Sequence, residues 1–275
     1  MAVTRFQAEI LKLIASSRVA KGESYIAGGL ALNYQLRRPR LSSDIDVFNN
    51  MYDALKYAAE SDRGLLKSKG YDVVTTRDRD WIVDAEVRHG DEVTEIQWVM
   101  DSAFRFFPLV TDDLLGYTLH PFDLATNKLL ALVGREVPRD WVDIISCCET
   151  LQPLAYLMWA ANGKDQGITP AYILEMTSRV RYTQIELDKV IRSEERVDAA
   201  TLSRKWHEML RAARHTITLL PPDEVGKAVL DKDGNLFRGT DEELEAALKA
   251  GEIIFHEGTI RGAWPVVRVK REEDL

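Results

Sequence analysis

The chain is poor in cysteine: two in 275 residues, side by side at Cys147 and Cys148. An adjacent pair on an expected helix gives neither a disulfide framework nor a metal site, so both thiols are expected to be buried and reduced, which suits the cytoplasm. Five histidines are scattered without zinc spacing. No Gly-x-Ser-x-Gly elbow or Walker loop occurs, and no internal repeat or low-complexity tract stands out. Long apolar runs are missing, so no segment reads as a membrane span. The first segment, Thr4 to Ser16, places Phe6, Ile10, Leu13 and Ile14 at helical spacing but also carries Glu9 and Lys12, which makes it an amphipathic helix and not a signal peptide. Excess positive charge is missing too. With 36 Lys and Arg against 44 Asp and Glu, the net charge is −8, which argues against a general nucleic-acid coat, because backbone binding depends on neutralising phosphates. What is left is an ordinary globular composition, long enough to bury one large core or two modest ones.

Against this background one stretch is informative. Tyr25-Ile26-Ala27 reads as a short strand, and Leu30 to Tyr34 as the helix after it. Between them, Gly28 and Gly29 allow a tight turn and a close approach to a ligand. The N–H groups that open a helix have no partner within it and suit a phosphate. Leu41 to Phe48 reads as a second strand. Residues two apart share a strand face, so Asp44 and Asp46 point one way while Ile45 and Val47 point into the core. Two neighbouring carboxylates repel unless a cation lies between them. Magnesium takes one or two carboxylates plus substrate phosphates, and a metal pair can clamp the attacking and leaving oxygens of an in-line displacement. Each motif alone is usually a turn or a solvated strand edge; in this order they indicate nucleotide chemistry.

A second stretch carries a lysine on an apolar helix face. Pro121 and Pro138 sit where first-turn prolines open helices. Phe122, Ala125, Leu129, Leu132 and Val133 form the apolar stripe of the first helix. Lys128 lies beside it between Leu124 and Leu132, either snorkelling to water or placed as a point charge for a triphosphate, where it would steady charge on the transferred and leaving phosphates. On the next helix Arg139 and Asp143 are four apart and read equally as an exposed ion pair.

The stretch GGLALNYQLRRPRLSSDIDVF resembles the signature of the DNA polymerase beta-like nucleotidyltransferases, and FDLATNKLLALVGREVPRDWVDII is similar to the abortive-infection nucleotidyltransferase toxins of the AbiEii type and to the related mycobacterial toxins. The resemblance covers roughly residues 20 to 215. It implies an α+β fold: a polymerase beta-like mixed sheet with helices, followed by a helical domain and a small C-terminal α/β appendage. It also implies a site in which Asp44 and Asp46 bind magnesium (or manganese), Gly28, Gly29 and Ser43 hold the phosphates of a nucleoside triphosphate, and Lys128 contacts the triphosphate. Asp143 becomes an active-site residue that orients Lys128 or a substrate hydroxyl. The implied activity is transfer of a nucleotide to an acceptor hydroxyl, on a transfer RNA 3′ end or a protein, by the toxin of a toxin–antitoxin pair with an antitoxin encoded nearby. Two other readings stay open: a small-molecule nucleotidyltransferase of the antibiotic-resistance kind, and a non-catalytic nucleotide-binding module.

One departure bears on the chemistry. The superfamily usually places a third carboxylate on a neighbouring strand. The candidate strand here, Val93 to Val99, has Glu95 and Gln97 on one face and Ile96 and Trp98 on the other, after a turn at His89-Gly90-Asp91. The preferred register puts Gln97 at the third position, with Glu95 or Glu86 as alternatives, so the catalytic base stays unassigned.

Three parts follow: residues 1–118 as the nucleotidyltransferase domain, 119–220 as a helical domain and 221–275 as an appendage. Thr169-Pro170 is expected to open one long helix running to Ile191, with another from about Ala199 to His215. Two basic sets, Arg37, Arg38 and Arg40 before Asp44, and Arg179, Arg181, Arg204, Lys205, Arg211 and Arg214 in the helical part, are candidate grips for RNA or solvated faces. In the appendage, Asp231 to Asn235 is expected to be a turn and not a calcium loop. Thr240 to Glu243 reads as a capping box for a helix ending near Gly251; Ile253 to Phe255 and Val266-Val267 read as short strands.

Overall fold

In the computed structural model, which describes residues 3–21, 24–191 and 197–260, helix α1 (Arg5–Lys21) precedes strand β1 (Tyr25–Ala27), helix α2 (Gly28–Gln35) and strand β2 (Asp44–Asn49). Helix α3 (Tyr52–Ser68) leads into β3 (Asp72–Arg79), β4 (Ile82–His89), β5 (Glu92–Met100) and the short strands β6 (Phe104–Arg105), β7 (Val110–Asp112) and β8 (Gly116–Thr118). Helices α4 (Pro121–Arg135), α5 (Pro138–Thr150), α6 (Leu154–Lys164), α7 (Pro170–Ser178), α8 (Gln184–Val190) and α9 (Ala199–Leu219) follow. The chain then forms β9 (Ala228–Leu230), α10 (Asp241–Ala250), β10 (Ile254–His256) and β11 (Thr259–Ile260). This is an α+β architecture with a mixed sheet in the order β3-β4-β5-β2-β1-β8-β7.

β2 is central. It runs antiparallel to β1 and parallel to β5, with Asp46 opposite Ala27 on one side and Gln97 on the other. The period of two does the positioning: Ile45, Val47, Ile96 and Trp98 have no exposed surface and hold the sheet to the core, which leaves Asp44, Asp46 and Gln97 on the opposite face. α1 packs as its spacing requires, with Phe6, Ile10 and Ile14 buried and Leu13 half-buried. The expected apolar stripe of α4 is buried along its whole length, and one apolar cluster joins sheet and helices from Val3 to Leu230. Cys147 and Cys148 lie in that cluster as free thiols.

After β5 the sheet continues, with β8 pairing in parallel with β1 and β7 returning beside it. One boundary differs from expectation. The long helix expected from Thr169 to Ile191 is two helices. α7 stops at Ser178, and Thr183 opens α8 with a capping box, its hydroxyl accepting the Glu186 N–H while Glu186 accepts the Thr183 N–H. That Thr-x-x-Glu signal was legible and outweighs the continuous helical pattern.

The appendage has its own small cluster, in which Val229 and Leu244 pack on Tyr156, Trp159 and Leu220. Gln152 Nε2 donates to the Val229 and Phe237 carbonyls, each at 2.8 Å, and β11 pairs with β6. Asp231 Oδ1 accepts the Asp233 and Asn235 N–H groups, closing the expected turn. Thr240 and Glu243 form the capping box, and Gly251 ends α10 at φ +69°. Val266 and Val267 lie outside the described residues.

Candidate active site

The β1–α2 junction fixes the site. Gly28 has φ +68°, a conformation that disfavours any residue with a side chain, and a Cβ built there would fall 1.7 Å from Asp46 Oδ2. The glycine therefore does two things at once: it makes the turn into α2, and it leaves the space that the Asp46 carboxylate occupies. At Gly29 a Cβ would stand 3.0 Å from Arg40 Nη2, 3.3 Å from Ser42 Oγ and 3.7 Å from Lys128 Nζ. Several polar groups thus converge on the bare start of α2.

These groups line one cleft of about 170 Å³ between the sheet and α4. The sheet side supplies Asp44, Asp46, Phe48 and Gln97; α4 supplies Leu124, Asn127, Lys128, Ala131 and Arg135; Arg40, Ser42 and Arg139 complete the rim. Of the sequence-derived site residues, Gly28, Gly29, Asp44, Asp46 and Lys128 come together here. Two do not line it. Ser43 faces an adjoining pocket with Leu41, Pro138 and Lys189, and reaches the site only through a 3.3 Å hydrogen bond to Asp44 Oδ1. Its neighbour Ser42 is in the cleft and donates to the same oxygen at 2.8 Å. The alternation that turns Asp44 inward turns Ser43 away and Ser42 inward.

Asp143 lies behind the cleft. It receives a two-pronged ion pair from Arg40, with Nε to Oδ1 and Nη2 to Oδ2 both at 2.7 Å, and Asn33 Nδ2 donates to Oδ1 at 3.1 Å. Its Oδ2 stands 3.6 Å from Lys128 Nζ. Asp143 is therefore a positioning residue for two cleft cations, and the exposed Arg139–Asp143 pair is not formed: Arg139 Nη1 turns to Asp44 Oδ2 at 4.0 Å. Asp140, unassigned from sequence, holds Lys128 at 3.1 Å and Arg135 through two bonds of 2.6 and 2.9 Å. Burial alone would raise its pKa, but the Arg135 hydrogen bond and the Lys128 charge outweigh it and hold the carboxyl below its usual range. Lys128 is 7% exposed; it does not snorkel to bulk water but ends in the cleft wall. Arg135 was findable, since it lies seven residues, two turns, after Lys128 on one helix face.

The basic loop before Asp44 divides its work. Arg40 is buried on Asp143, Arg38 reaches the Ser146 carbonyl and Glu149 at 3.5 Å, and Arg37 is exposed. The helical basic set is exposed on α9 and the segment between α7 and α8, with Arg179 paired to Glu175 and Lys205 to Glu149.

The sheet acids are in a different state. Burial first, and then the Asp44 charge, push the Asp46 pKa up to about 7, against the opposing pull of Lys128, Arg139 and Arg135. A cation between the two carboxylates would remove that penalty. The donor set is hard oxygen with no nitrogen or sulfur ligand, which fits magnesium bound through a carboxylate pair and substrate phosphates. Among the described residues no cluster of three or more His, Cys, Asp or Glu could hold a metal; the carboxylates that line the cleft are Asp44 and Asp46. At the third position, Gln97 faces the cleft opposite Asp46. Glu95 accepts the Gln97 amide at 3.2 Å, and Glu86 pairs with Arg88; neither acid lines the cleft.

Comparison with known proteins follows this geometry. The model of a family described as nucleotidyl transferase AbiEii toxin, type IV toxin–antitoxin system, matches residues 13–225. Among solved structures, the chain is similar to MenT4, a nucleotidyltransferase toxin from Mycobacterium tuberculosis H37Rv, at 16% identity and a TM-score of 0.54, covering 78% of this chain and 83% of that one. It is also similar to JHP933 from Helicobacter pylori, at 16% identity and a TM-score of 0.47, over 76% of this chain and 91% of that one. No curated protein matches at a significant level.

Proposed function

From the premise that the chain belongs to the AbiEii nucleotidyl transferase toxin family, we propose that it transfers a nucleoside monophosphate, with magnesium, from a nucleoside triphosphate to an acceptor hydroxyl on a transfer RNA 3′ end or a protein. The protein is a nucleotidyltransferase; the metal, the acceptor and the cytoplasmic setting belong to this reading. The observation that carries it is the Asp46 carboxylate seated in the space left by Gly28, in a cleft walled by Lys128, Arg135 and Arg139.

The residues divide the task. The opening N–H groups of α2 receive phosphate oxygens, and the Ser42 hydroxyl would turn its one proton from Asp44 Oδ1 to a phosphate oxygen. Lys128 and Arg135, held apart on Asp140, present fixed positive charge to the triphosphate and to the pyrophosphate as it leaves. Asp44 and Asp46 would hold magnesium, which when bound neutralises phosphate charge and orients the reacting oxygens. The acceptor hydroxyl releases its proton to water as its oxygen forms a bond to the α-phosphorus, the bond from that phosphorus to the bridging oxygen breaks, and pyrophosphate departs with the electron pair. Four cationic side chains line the cleft, which disfavours the cationic substrates of an antibiotic-type enzyme. Among the described residues no helix is long and apolar enough to cross a membrane. As a toxin the protein would inhibit growth and be encoded beside an antitoxin.

The test is incubation with magnesium, each labelled nucleoside triphosphate and total bacterial transfer RNA, with Asp46→Ala in parallel. Label on RNA from wild type only supports transfer to RNA, and label on protein moves the acceptor to protein. No label on either, from folded protein, overturns the RNA and protein acceptors.

A further inference from the structure

We propose that the uncharged part of the cleft is a nucleobase site, in which Asn127 and Gln97 hydrogen-bond the edge of the base and Phe48 packs against its face; this rests on the nucleotidyl-transfer reading above. Both walls change character along their length. On β2 one face presents Asp44, then Asp46, then the half-buried Phe48. On α4 the cleft stripe runs from Leu124 and Asn127 to Lys128, Ala131 and Arg135. Ala131 lies between Lys128 and Arg135 on the charged run of α4; the lining that remains outside that run is Phe48, Gln97, Leu124 and Asn127, with no ionised side chain among them.

That remainder has a specific chemistry. A side-chain amide carries a donor and an acceptor side by side, which is the pattern that a base edge presents. Two amides enter the same cavity from different elements, and neither has a task in holding phosphate. Gln97 is braced from behind, its Nε2 donating to Glu95 Oε1 at 3.2 Å. Asn127 is half-buried, and its amide makes no hydrogen bond among the described residues. The apolar surface of Phe48 and Leu124 suits a flat ring, since bases stack on aromatic faces. Such a base comes from one of two sources, the nucleoside triphosphate itself or the terminal nucleoside of a nucleic-acid acceptor.

The experiment uses full-length protein, wild type, Asn127→Ala and Phe48→Leu, each checked by thermal melting. Binding of the four α,β-methylene nucleoside triphosphates is measured with magnesium, beside steady-state transfer to transfer RNA. The expected result is that Asn127→Ala lowers the preference among bases by about tenfold through KM, with kcat within about twofold. If the change falls on the analogues, the base belongs to the triphosphate. If analogue binding is unchanged while the KM for RNA rises about tenfold, the base belongs to the acceptor. Folded variants that bind all four analogues and the RNA as wild type does overturn the base site alone. A wild type that binds no analogue and transfers nothing overturns it together with the nucleotidyl-transfer reading.

Discussion

The two sides of the cleft carry the same side chain in opposite circumstances. Behind the helical wall, Asp140 and Asp143 are closed by cations at 2.6–3.1 Å, each receiving a two-pronged arginine. On the sheet wall, Asp44 has its nearest cation at 4.0 Å, and Asp46 makes no ion pair among the described residues. Closed acids are scaffold: their charge is spent on fixing Arg40, Lys128 and Arg135 in place. Open acids side by side store repulsion that a bound cation releases. On the proposed reading, the chemistry is divided between a preorganised cationic wall and an acidic wall that metal and substrate would complete.

The largest expected effect comes from closing the space that keeps the sheet wall open. Gly28→Ala adds a Cβ within bonding range of the Asp46 carboxylate at a φ of +68°, so either Asp46 or the α2 start must move. Transfer is expected to fall by on the order of a hundredfold or more, because displacement of about 1 Å at a reacting centre has that consequence. A label-transfer assay measures it, and wild-type activity in this variant would mean that the open acids need no such fit.

The next expected effect lies on the other wall and reads out in stability. Asp143→Ala leaves the Arg40 guanidinium, 7% exposed, without its counter-charge. Breaking a buried pair by removing one partner costs about 3–5 kcal/mol, which urea unfolding at neutral pH would measure. Asp44→Asn removes a repelled charge from the open wall and is expected to leave the stability of the metal-free protein unchanged or raised. Equal losses in the two variants would dissolve the distinction between the walls.

A smaller effect links the open wall to pH. Without metal, Asp46 titrates near 7 in the folded protein and near the ordinary 3.8 when unfolded. The folded state therefore binds more protons between those values, and this residue's contribution lowers stability as pH rises from about 4 to about 7. Magnesium needs the ionised form, so its stabilising effect, followed as the shift in Tm, is expected to grow between pH 6 and pH 8. In Asp46→Asn that growth should vanish; a shift of the same size at both pH values in wild type would place the metal elsewhere.

How much of this was legible in the sequence differs between the walls. The sheet wall depends on local rules, a glycine pair at a helix mouth and a period of two, so Gly28, Asp44, Asp46 and the inward Gln97 were all readable within short windows. Even there, one step of the alternation separates Ser43 from Ser42. The helical wall depends on pairing at a distance. That Asp143 belongs to Arg40, 103 positions away, and not to Arg139 four positions away, follows from the packing of α5 against α2, which no local pattern encodes. Arg135 was within reach by helical spacing, whereas Asp140 stood beside Arg139 with no local sign that it would hold two cleft cations. The split between α7 and α8 was signalled by Thr183 and Glu186, a local rule masked by the apolar periodicity around it.

The smallest expected effect tests the finest of these distinctions. Ser42 and Ser43 both donate to Asp44 Oδ1, at 2.8 and 3.3 Å, but only Ser42 faces the cleft and the start of α2. If orienting the carboxylate were all that mattered, the two alanine variants would lose similar activity. If the hydroxyl instead turns its one proton to a phosphate oxygen when substrate binds, Ser42→Ala should lose a hydrogen bond of about 1–1.5 kcal/mol, roughly five- to tenfold in kcat/KM, while Ser43→Ala stays within about twofold. Steady-state kinetics with the nucleoside triphosphate varied would separate these outcomes, and a Ser43→Ala loss equal to or larger than that of Ser42→Ala would reverse which serine belongs to the open wall.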